Sequence, residues 1–116
     1  MLFMQAGEKH IEQEFESREP ARVEVDAMAG TLLLEFGSPD CGWCRRAQPL
    51  IAEALAAYPA VRRLRIADGP GRRLGRSYRV KLWPTLILLQ AGTEQARLVR
   101  PESKDEIIAA LASAAR

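Results

Sequence analysis

The stretch Thr31-Leu-Leu-Leu-Glu-Phe-Gly-Ser-Pro-Asp-Cys-Gly-Trp-Cys44 decides the fold of this chain, and it holds both of the chain's cysteines. The nearly continuous apolar run from Thr31 to Phe36 is typical of a strand buried on both faces of a parallel sheet. After it, residues Cys44 to Tyr58 show the periodicity of a helix. If Cys44 lies on the first helical turn, the two thiols share one helix face and are close enough to form a small disulfide ring. The stretch therefore indicates a redox centre, and with it an enzyme.

The bulk composition predicts a single domain over residues 1–116, because 47% of the residues are hydrophobic and 28% are charged. Two cysteines are too few for a secreted disulfide scaffold. No segment is long and apolar enough to span a membrane, and the N-terminus lacks the pattern of a signal peptide. We therefore expect a cytoplasmic monomer without membrane contact, or a periplasmic protein if an N-terminal signal has been removed.

Charge is unevenly distributed along the chain. Residues 1–40 carry a net charge of −6, whereas residues 41–81 carry +8. One interpretation is an Arg-rich solvated surface. Another is a positive field around the dithiol, which would favour the thiolate of Cys41 and steer acidic partners. The basic residues are not interleaved with aromatic residues and form no known nucleic-acid motif, so we expect no nucleic-acid partner.

Periodicity and turn residues predict the other elements. Ser103 and Glu106 form a capping box at the start of a final amphipathic helix. The order is therefore βαβ, then a helix, a hairpin and a last helix. The predicted segments are a short strand at Leu2–Met4, a helix over Glu8–Arg18, a strand or extended connector over Arg22–Asp26, a strand over Val61–Ile66, a short helix over Arg72–Tyr78, and hairpin strands over Thr85–Gln90 and Gln95–Val99.

From Thr31 onwards the chain resembles the thioredoxin family. A Cys-x-x-Cys motif beside a βαβ pattern is a signal of that fold. Pro49 falls eight residues after Cys41, where the family has a helix kink, and Gly92 falls eight residues after Pro84, where the family has its hairpin glycine. The resemblance implies an α/β, thioredoxin-like fold: a central mixed sheet of four to five strands with helices on both faces. Residues 1–30 match poorly and are expected to form a variable N-terminal segment.

The sequence departs from the family pattern at three places. Asp40 stands where thioredoxins usually have Trp, and Trp43 stands where they have Pro. Arg100 occupies a position beside the substrate groove that is commonly glycine. These departures affect the expected partner and redox potential, not the dithiol chemistry.

The resemblance implies a role for each cysteine. Cys41, at a helix N-terminus, is the expected nucleophile, and Cys44 is the expected resolving thiol. The redox-active disulfide Cys41–Cys44 would then serve the reaction without a further cofactor. A zinc site usually needs four ligands, and His10 is the only other soft ligand, far away in sequence. We therefore expect no metal.

Glu35 corresponds to the family's buried acid, six residues before Cys41. Burial would disfavour its charged form, and it could relay a proton to or from Cys44 through water. The alternative is an exposed glutamate at a sheet edge. Arg63 is a candidate for the basic residue that the family places near this acid.

The loop at Trp83-Pro84-Thr85 resembles the family's loop with a cis proline. A cis bond would expose the Trp83 backbone beside the dithiol, so a substrate strand could pair with it. The alternative is an ordinary trans turn. The predicted substrate-binding residues are Trp43, Trp83, Pro84, Thr85 and Arg100.

The predicted function is a thiol–disulfide oxidoreductase that reduces or exchanges disulfides in protein substrates, as part of cell redox homeostasis. A reductase or another dithiol donor would be its electron source. Two alternatives remain: a glutaredoxin-like, glutathione-linked enzyme, and a thioredoxin-fold binding module without turnover. The hairpin and the single final helix favour the thioredoxin-like enzyme.

Overall fold

Four strands form a mixed sheet in the part of the chain that the computed structural model describes, residues 13–114. The strand order is β2-β1-β3-β4; β1 and β2 are parallel, and β3 is antiparallel to β1 and β4. This arrangement confirms the predicted α/β, thioredoxin-like fold. In chain order the elements are α1 (Arg22–Asp26), β1 (Thr31–Gly37), α2 (Gly42–Ala56), β2 (Arg62–Ala67), α3 (Leu74–Ser77), β3 (Thr85–Gln90), β4 (Thr93–Val99) and α4 (Lys104–Ala114).

The sheet is covered on both faces, which explains the continuous apolar pattern of β1. Alternate side chains of β1 enter two separate cores. Leu34 and Phe36 pack with residues of α1 and α3, whereas Leu33 packs with residues of α2 and α4. Glu35 alternates with Leu34 and so shares the face of Leu33 and α2. None of the helices within residues 13–114 is long and apolar enough to cross a membrane.

Most elements around the dithiol follow the sequence prediction closely. β3 has the predicted bounds, and α2 begins at Gly42, two residues before the predicted start, with Pro49 inside it. The capping box of α4 is confirmed: Glu106 N donates to Ser103 Oγ at 3.3 Å, and Ser103 N donates to Glu106 Oε2 at 3.1 Å.

The predicted helix over Glu8–Arg18 is wrong over its described part, because residues 13–18 are not helical. This segment binds β2 instead. Glu16 N donates to Arg65 O at 2.8 Å, and Gln13 Nε2 donates to Arg63 O at 2.8 Å. β2 lies at the edge of the sheet, so its unpaired backbone groups are available to the segment. The predicted strand at Leu2–Met4 and the first part of that helix lie outside the described residues.

Arg22–Asp26 forms the short helix α1, not the predicted strand or extended connector. Glu24 Oε1 accepts a hydrogen bond from Ala21 N at 2.8 Å, and Arg22 Nε donates to Asp26 Oδ1 at 2.9 Å. The apolar alternation was misleading because Val25 is buried while Val23 is 73% exposed. Local capping and an i,i+4 ion pair therefore outweigh the strand-like pattern.

Candidate active site

The two cysteines meet at the start of α2. Cys41 is the N-cap residue, with an extended backbone, and its Sγ accepts a hydrogen bond from Cys44 N at 3.1 Å. A sulfur atom thus takes the place of the oxygen that usually caps a helix. Unpaired N–H groups and the helix dipole favour negative charge at this position. Cys41 is partly exposed and Cys44 is buried, and both thiols are free.

The environment of Cys44 keeps its thiol protonated. Burial, the hydrogen bond with Cys41 and the nearby charge of Glu35 together raise the pKa of Cys44 from 9.0 to about 12. The strongest of these causes is burial, which disfavours the thiolate. The two thiols therefore differ in kind: one is capped by a backbone N–H and open to solvent, and the other is enclosed and neutral at pH 7.

A cleft separates residues 13–15 from the start of α2, although Cys44 itself is only 1% exposed. Cys44 lines this open cleft of about 520 Å³ together with Phe15, Ser38 and Arg45. The cleft provides a route by which water could exchange a proton with this otherwise buried thiol.

Glu35 is fully buried, as the resemblance implied, and the exposed alternative is wrong. Its carboxylate accepts four hydrogen bonds. Arg63 donates to Oε1 through Nε at 3.0 Å and Nη2 at 2.7 Å; Oε2 accepts from Gln48 Nε2 at 2.7 Å and Arg65 Nε at 3.1 Å. Two guanidinium groups thus pair with one buried carboxylate. Gln48 lies on α2, and its Nε2 also donates to Cys44 O at 3.0 Å, which connects Glu35 to the helix that carries Cys44.

Sequence reasoning identified Arg63 as a candidate neighbour of Glu35 but missed Arg65 and Gln48. Arg65 is paired in register with Glu35 across β1 and β2, and it is only 5% exposed. Its guanidinium packs 4.1 Å from the Phe15 ring centroid and also donates to Gln13 O. The available signal was the alternation of Arg63 and Arg65 in a strand parallel to the one that carries a buried acid.

The bond between Trp83 and Pro84 is cis, as the resemblance implied. The Cys41 thiol lies 3.9 Å from Trp83 O, its hydrogen-bond acceptor. The indole of Trp83 is held in place by Asp68, since its Nε1 donates to Asp68 Oδ2 at 2.9 Å. The backbone at Trp83 is therefore held directly beside the candidate nucleophile.

The other predicted substrate-binding residues have different surroundings. Trp43 is 40% exposed, and its ring centroid lies 4.5 Å from the guanidinium carbon of Arg46 and 4.8 Å from that of Arg100. Thr85 is 1% exposed and its hydroxyl donates to Leu82 O at 2.6 Å, so its side chain braces the loop from inside. The structure thus brings Trp43, Trp83 and Arg100 together at the surface beside Cys41.

In the described part of the chain, no three His, Cys, Asp or Glu side chains are grouped so that they could hold a metal ion. His10, the other soft ligand considered from the sequence, lies outside that part.

Comparisons with known proteins identify the family. The thioredoxin family model matches residues 10–113, so the chain belongs to the thioredoxin family. It is similar to a thioredoxin from Chlamydia trachomatis, with 33% identity over 85 residues covering 72% of this chain and 83% of the relative. It is also similar to the structure of thioredoxin 2 from Pseudomonas aeruginosa in its reduced form, with a TM-score of 0.80 and 50% identity over 89% of this chain and 95% of the other.

These findings establish the chain as a thiol–disulfide oxidoreductase. They favour the thioredoxin-like enzyme over the glutaredoxin-like and non-catalytic alternatives. Cys41 and Cys44 fit the family's Cys-x-x-Cys motif in both spacing and position at a helix N-terminus.

Proposed function

We propose that the protein reduces disulfides in protein substrates, with Cys41 as nucleophile and Cys44 as resolving thiol. One observation carries the assignment of roles: Cys44 N donates to Cys41 Sγ at 3.1 Å, whereas the Cys44 thiol is buried with its pKa raised to about 12. The partly exposed sulfur is the one that reaches a substrate disulfide, and negative charge on it is stabilised by the helix N-terminus.

The reaction proceeds by two successive thiol–disulfide exchanges. The Cys41 thiolate attacks one substrate sulfur, the substrate S–S bond breaks, and the first substrate thiolate leaves and takes up a proton. Cys44 then loses its proton and attacks Cys41 Sγ, which breaks the mixed disulfide and releases the second substrate thiolate. The substrate gains two electrons and the enzyme is left with a Cys41–Cys44 disulfide. A dithiol donor such as a reductase returns it to the reduced form.

The substrate would bind along Trp83, next to Cys41. The cis bond before Pro84 and the 3.9 Å distance between Cys41 Sγ and Trp83 O support strand pairing at this backbone. Trp43 and Leu82, 40% and 47% exposed, would supply apolar contact. We propose a cytoplasmic location for this reduction, since thiols are kept reduced there.

The proton relay through Glu35 stays a prediction, and the geometry restricts how it could operate. A carboxylate has about four acceptor sites, and four hydrogen bonds from Arg63, Arg65 and Gln48 reach Glu35. A proton arriving from Cys44 would have to displace one of these donors. The charge of Glu35 also raises the pKa of Cys44, but it is the smallest of the causes, after burial and the interactions with Cys41.

Turnover of insulin disulfides with dithiothreitol tests the proposed function. We expect the wild type to accelerate reduction and Cys41→Ser to abolish the acceleration. Cys44→Ser, reduced beforehand and freed of dithiothreitol, should still attack through Cys41 and should accumulate a mixed disulfide with substrate, detectable by mass spectrometry. Equal rates for the wild type and Cys41→Ser, or a mixed disulfide on Cys44 in place of Cys41, would contradict the assignment.

A further inference from the structure

Arg100 adopts a backbone conformation that L-residues rarely take. Its φ is 52°, in the left-handed region that favours glycine. The conformation is held by a hydrogen bond from Arg100 N to Pro84 O at 2.9 Å. Strained backbone of this kind is concentrated at functional sites. The presence of an arginine at this strained position therefore points to a role for its side chain.

The Arg100 side chain reaches the backbone group that a substrate strand would use. Its Nε donates to Trp83 O at 2.8 Å, and this oxygen also accepts from the Cys41 thiol, 3.9 Å away. The guanidinium simultaneously packs against Trp43. A positive charge therefore lies at the candidate groove. The guanidinium is hydrogen-bonded to a neutral carbonyl and not to a carboxylate.

We propose that Arg100 is a specificity-determining residue that selects disulfide substrates with a carboxylate next to the reactive cysteine; this rests on the proposed oxidoreductase function. The bond from Arg100 to Trp83 O has one charged partner, whereas a bond to a carboxylate has two and can form through two parallel N–H···O contacts. An acidic substrate side chain therefore draws Arg100 away from Trp83 O and leaves that oxygen free to pair with the substrate backbone. A neutral substrate must compete with the guanidinium for the same oxygen.

The surroundings of the groove favour the same class of substrate. An open cleft of about 670 Å³ beside Trp83 is lined by Arg72, Arg76, Arg79 and Lys81. Among the described residues that line it, the single acid is Asp68, which accepts a hydrogen bond from the Trp83 indole. Other charged groups near the dithiol include Asp40, next to Cys41 in the chain, Arg45, which follows Cys44, and Arg46, on Trp43. The basic residues outnumber the acidic ones, so the field steers acidic segments to the dithiol.

Three disulfide-linked peptides of identical sequence, except for Glu, Gln or Lys beside one cysteine, test the proposal. The measurement is kcat/KM with dithiothreitol as donor, in the wild type, Arg100→Gln and Arg100→Lys. We expect the wild type to prefer the Glu peptide over the Gln peptide by about three- to tenfold, with the Lys peptide slowest. The preference should shrink in high salt, disappear in Arg100→Gln and persist in Arg100→Lys.

Arg62→Gln is the matched control, because it removes the same charge from the first residue of β2, at the end of the sheet away from the dithiol. It should keep the preference for the Glu peptide. Equal kcat/KM for the Glu and Gln peptides in the wild type would overturn the proposal while leaving the oxidoreductase function intact. A preference that survives in Arg100→Gln would also overturn it. Failure of the wild type to reduce any peptide faster than Cys41→Ser does would instead refute the proposed function.

Discussion

Arg63 donates two hydrogen bonds to Oε1 of Glu35, at 3.0 and 2.7 Å, across the parallel pair β1 and β2. Glu35 is fully buried, and Arg65 binds its other carboxylate oxygen at 3.1 Å. Glu35 is thus one member of a buried ion network, not an isolated desolvated carboxyl group. A network of this kind depends on every partner, because removing one leaves an uncompensated charge.

The first prediction concerns the stability of this network. Glu35→Ala leaves Arg63 and Arg65 without their shared carboxylate, so we expect the free energy of unfolding to fall by about 3–5 kcal/mol. Equilibrium unfolding in urea measures the change. Glu53→Ala is the control: Glu53 is exposed and lies 3.9 Å from Lys104 Nζ, so its loss should cost less than about 1 kcal/mol. Similar losses in the two variants would show that the buried network contributes no special stability.

The second prediction follows from the raised pKa of Cys44. With a pKa of about 12, roughly one Cys44 in ten thousand is a thiolate at pH 8. Iodoacetamide should therefore modify Cys41 long before Cys44 in the reduced protein at pH 7 to 9, as mass spectrometry of the alkylated peptides would show. Alkylation of Cys44 should accelerate about tenfold with each pH unit and level off only near pH 12. Comparable rates at the two thiols near pH 8 would contradict the assigned environment.

The same pKa shift affects stability with a definite sign. The folded state holds the Cys44 proton more tightly than the unfolded state, whose thiol titrates near 9. The contribution is fully present below pH 9 and is lost as the pH rises through about 12. We therefore expect the difference in unfolding free energy between the wild type and Cys44→Ala to decrease from pH 8 to pH 11. A difference that stays constant over this range would mean that Cys44 titrates normally.

The third prediction separates the charge of Glu35 from its packing. Glu35→Gln keeps the size of the side chain and an oxygen acceptor but removes the charge that contributes to raising the pKa of Cys44. Cys44 should then alkylate at lower pH than in the wild type. Turnover and its pH profile provide the test of the relay: an unchanged profile in Glu35→Gln would show that Glu35 transfers no proton.

Much of the fold was predictable because its signals are local. The apolar runs of β1 and β3 and the capping box of α4 depend on neighbouring residues alone. α1 was not predictable from its alternation, because five residues fit a strand and a helix equally well until capping and burial are known. The segment over residues 13–18 depends on the edge of β2, a partner about fifty residues away.

In the site, too, local features were predictable from the sequence and long-range contacts were not. The spacing of Cys41 and Cys44 and the burial of Glu35 could be anticipated, whereas the donors around Glu35 depend on the register between two strands. The sequence marked Arg100 as a departure from the family pattern. Only the three-dimensional arrangement shows that its guanidinium binds Trp83 O.

The fourth prediction concerns Gly92, which the sequence placed in the hairpin. It has a φ of 85°, and a Cβ there would overlap the backbone carbonyl of Asp26 at the end of α1. Gly92→Ala combines a left-handed conformation with this clash, so we expect a loss of about 3 kcal/mol or more. Gly71→Ala is the matched control, since Gly71 has a φ of 81° and open space around it. It should cost about 1 kcal/mol; equal losses would mean that the clash with Asp26 is relieved at no cost.

The last prediction concerns the room that Gly37 provides for the Cys44 thiol. A Cβ at this position would lie 2.8 Å from Cys44 Sγ and 3.6 Å from Cys44 Cβ, so the thiol would have to move. We expect Gly37→Ala to destabilise the fold by about 1–3 kcal/mol. Displacement of Cys44 should also slow its attack on the mixed disulfide, because that step requires a short, aligned approach between the two sulfur atoms.

Two measurements would separate these effects in Gly37→Ala: urea unfolding, and the lifetime of the mixed disulfide between Cys41 and a model peptide after rapid mixing. Gly42→Ala provides the control for stability. A Cβ at Gly42 would meet nothing closer than 3.9 Å, and alanine favours a helix, so the free energy of unfolding should stay the same or rise by up to about 1 kcal/mol. A mixed disulfide in Gly37→Ala that resolves as fast as in the wild type would show that the position of Cys44 is not set by contact with Gly37.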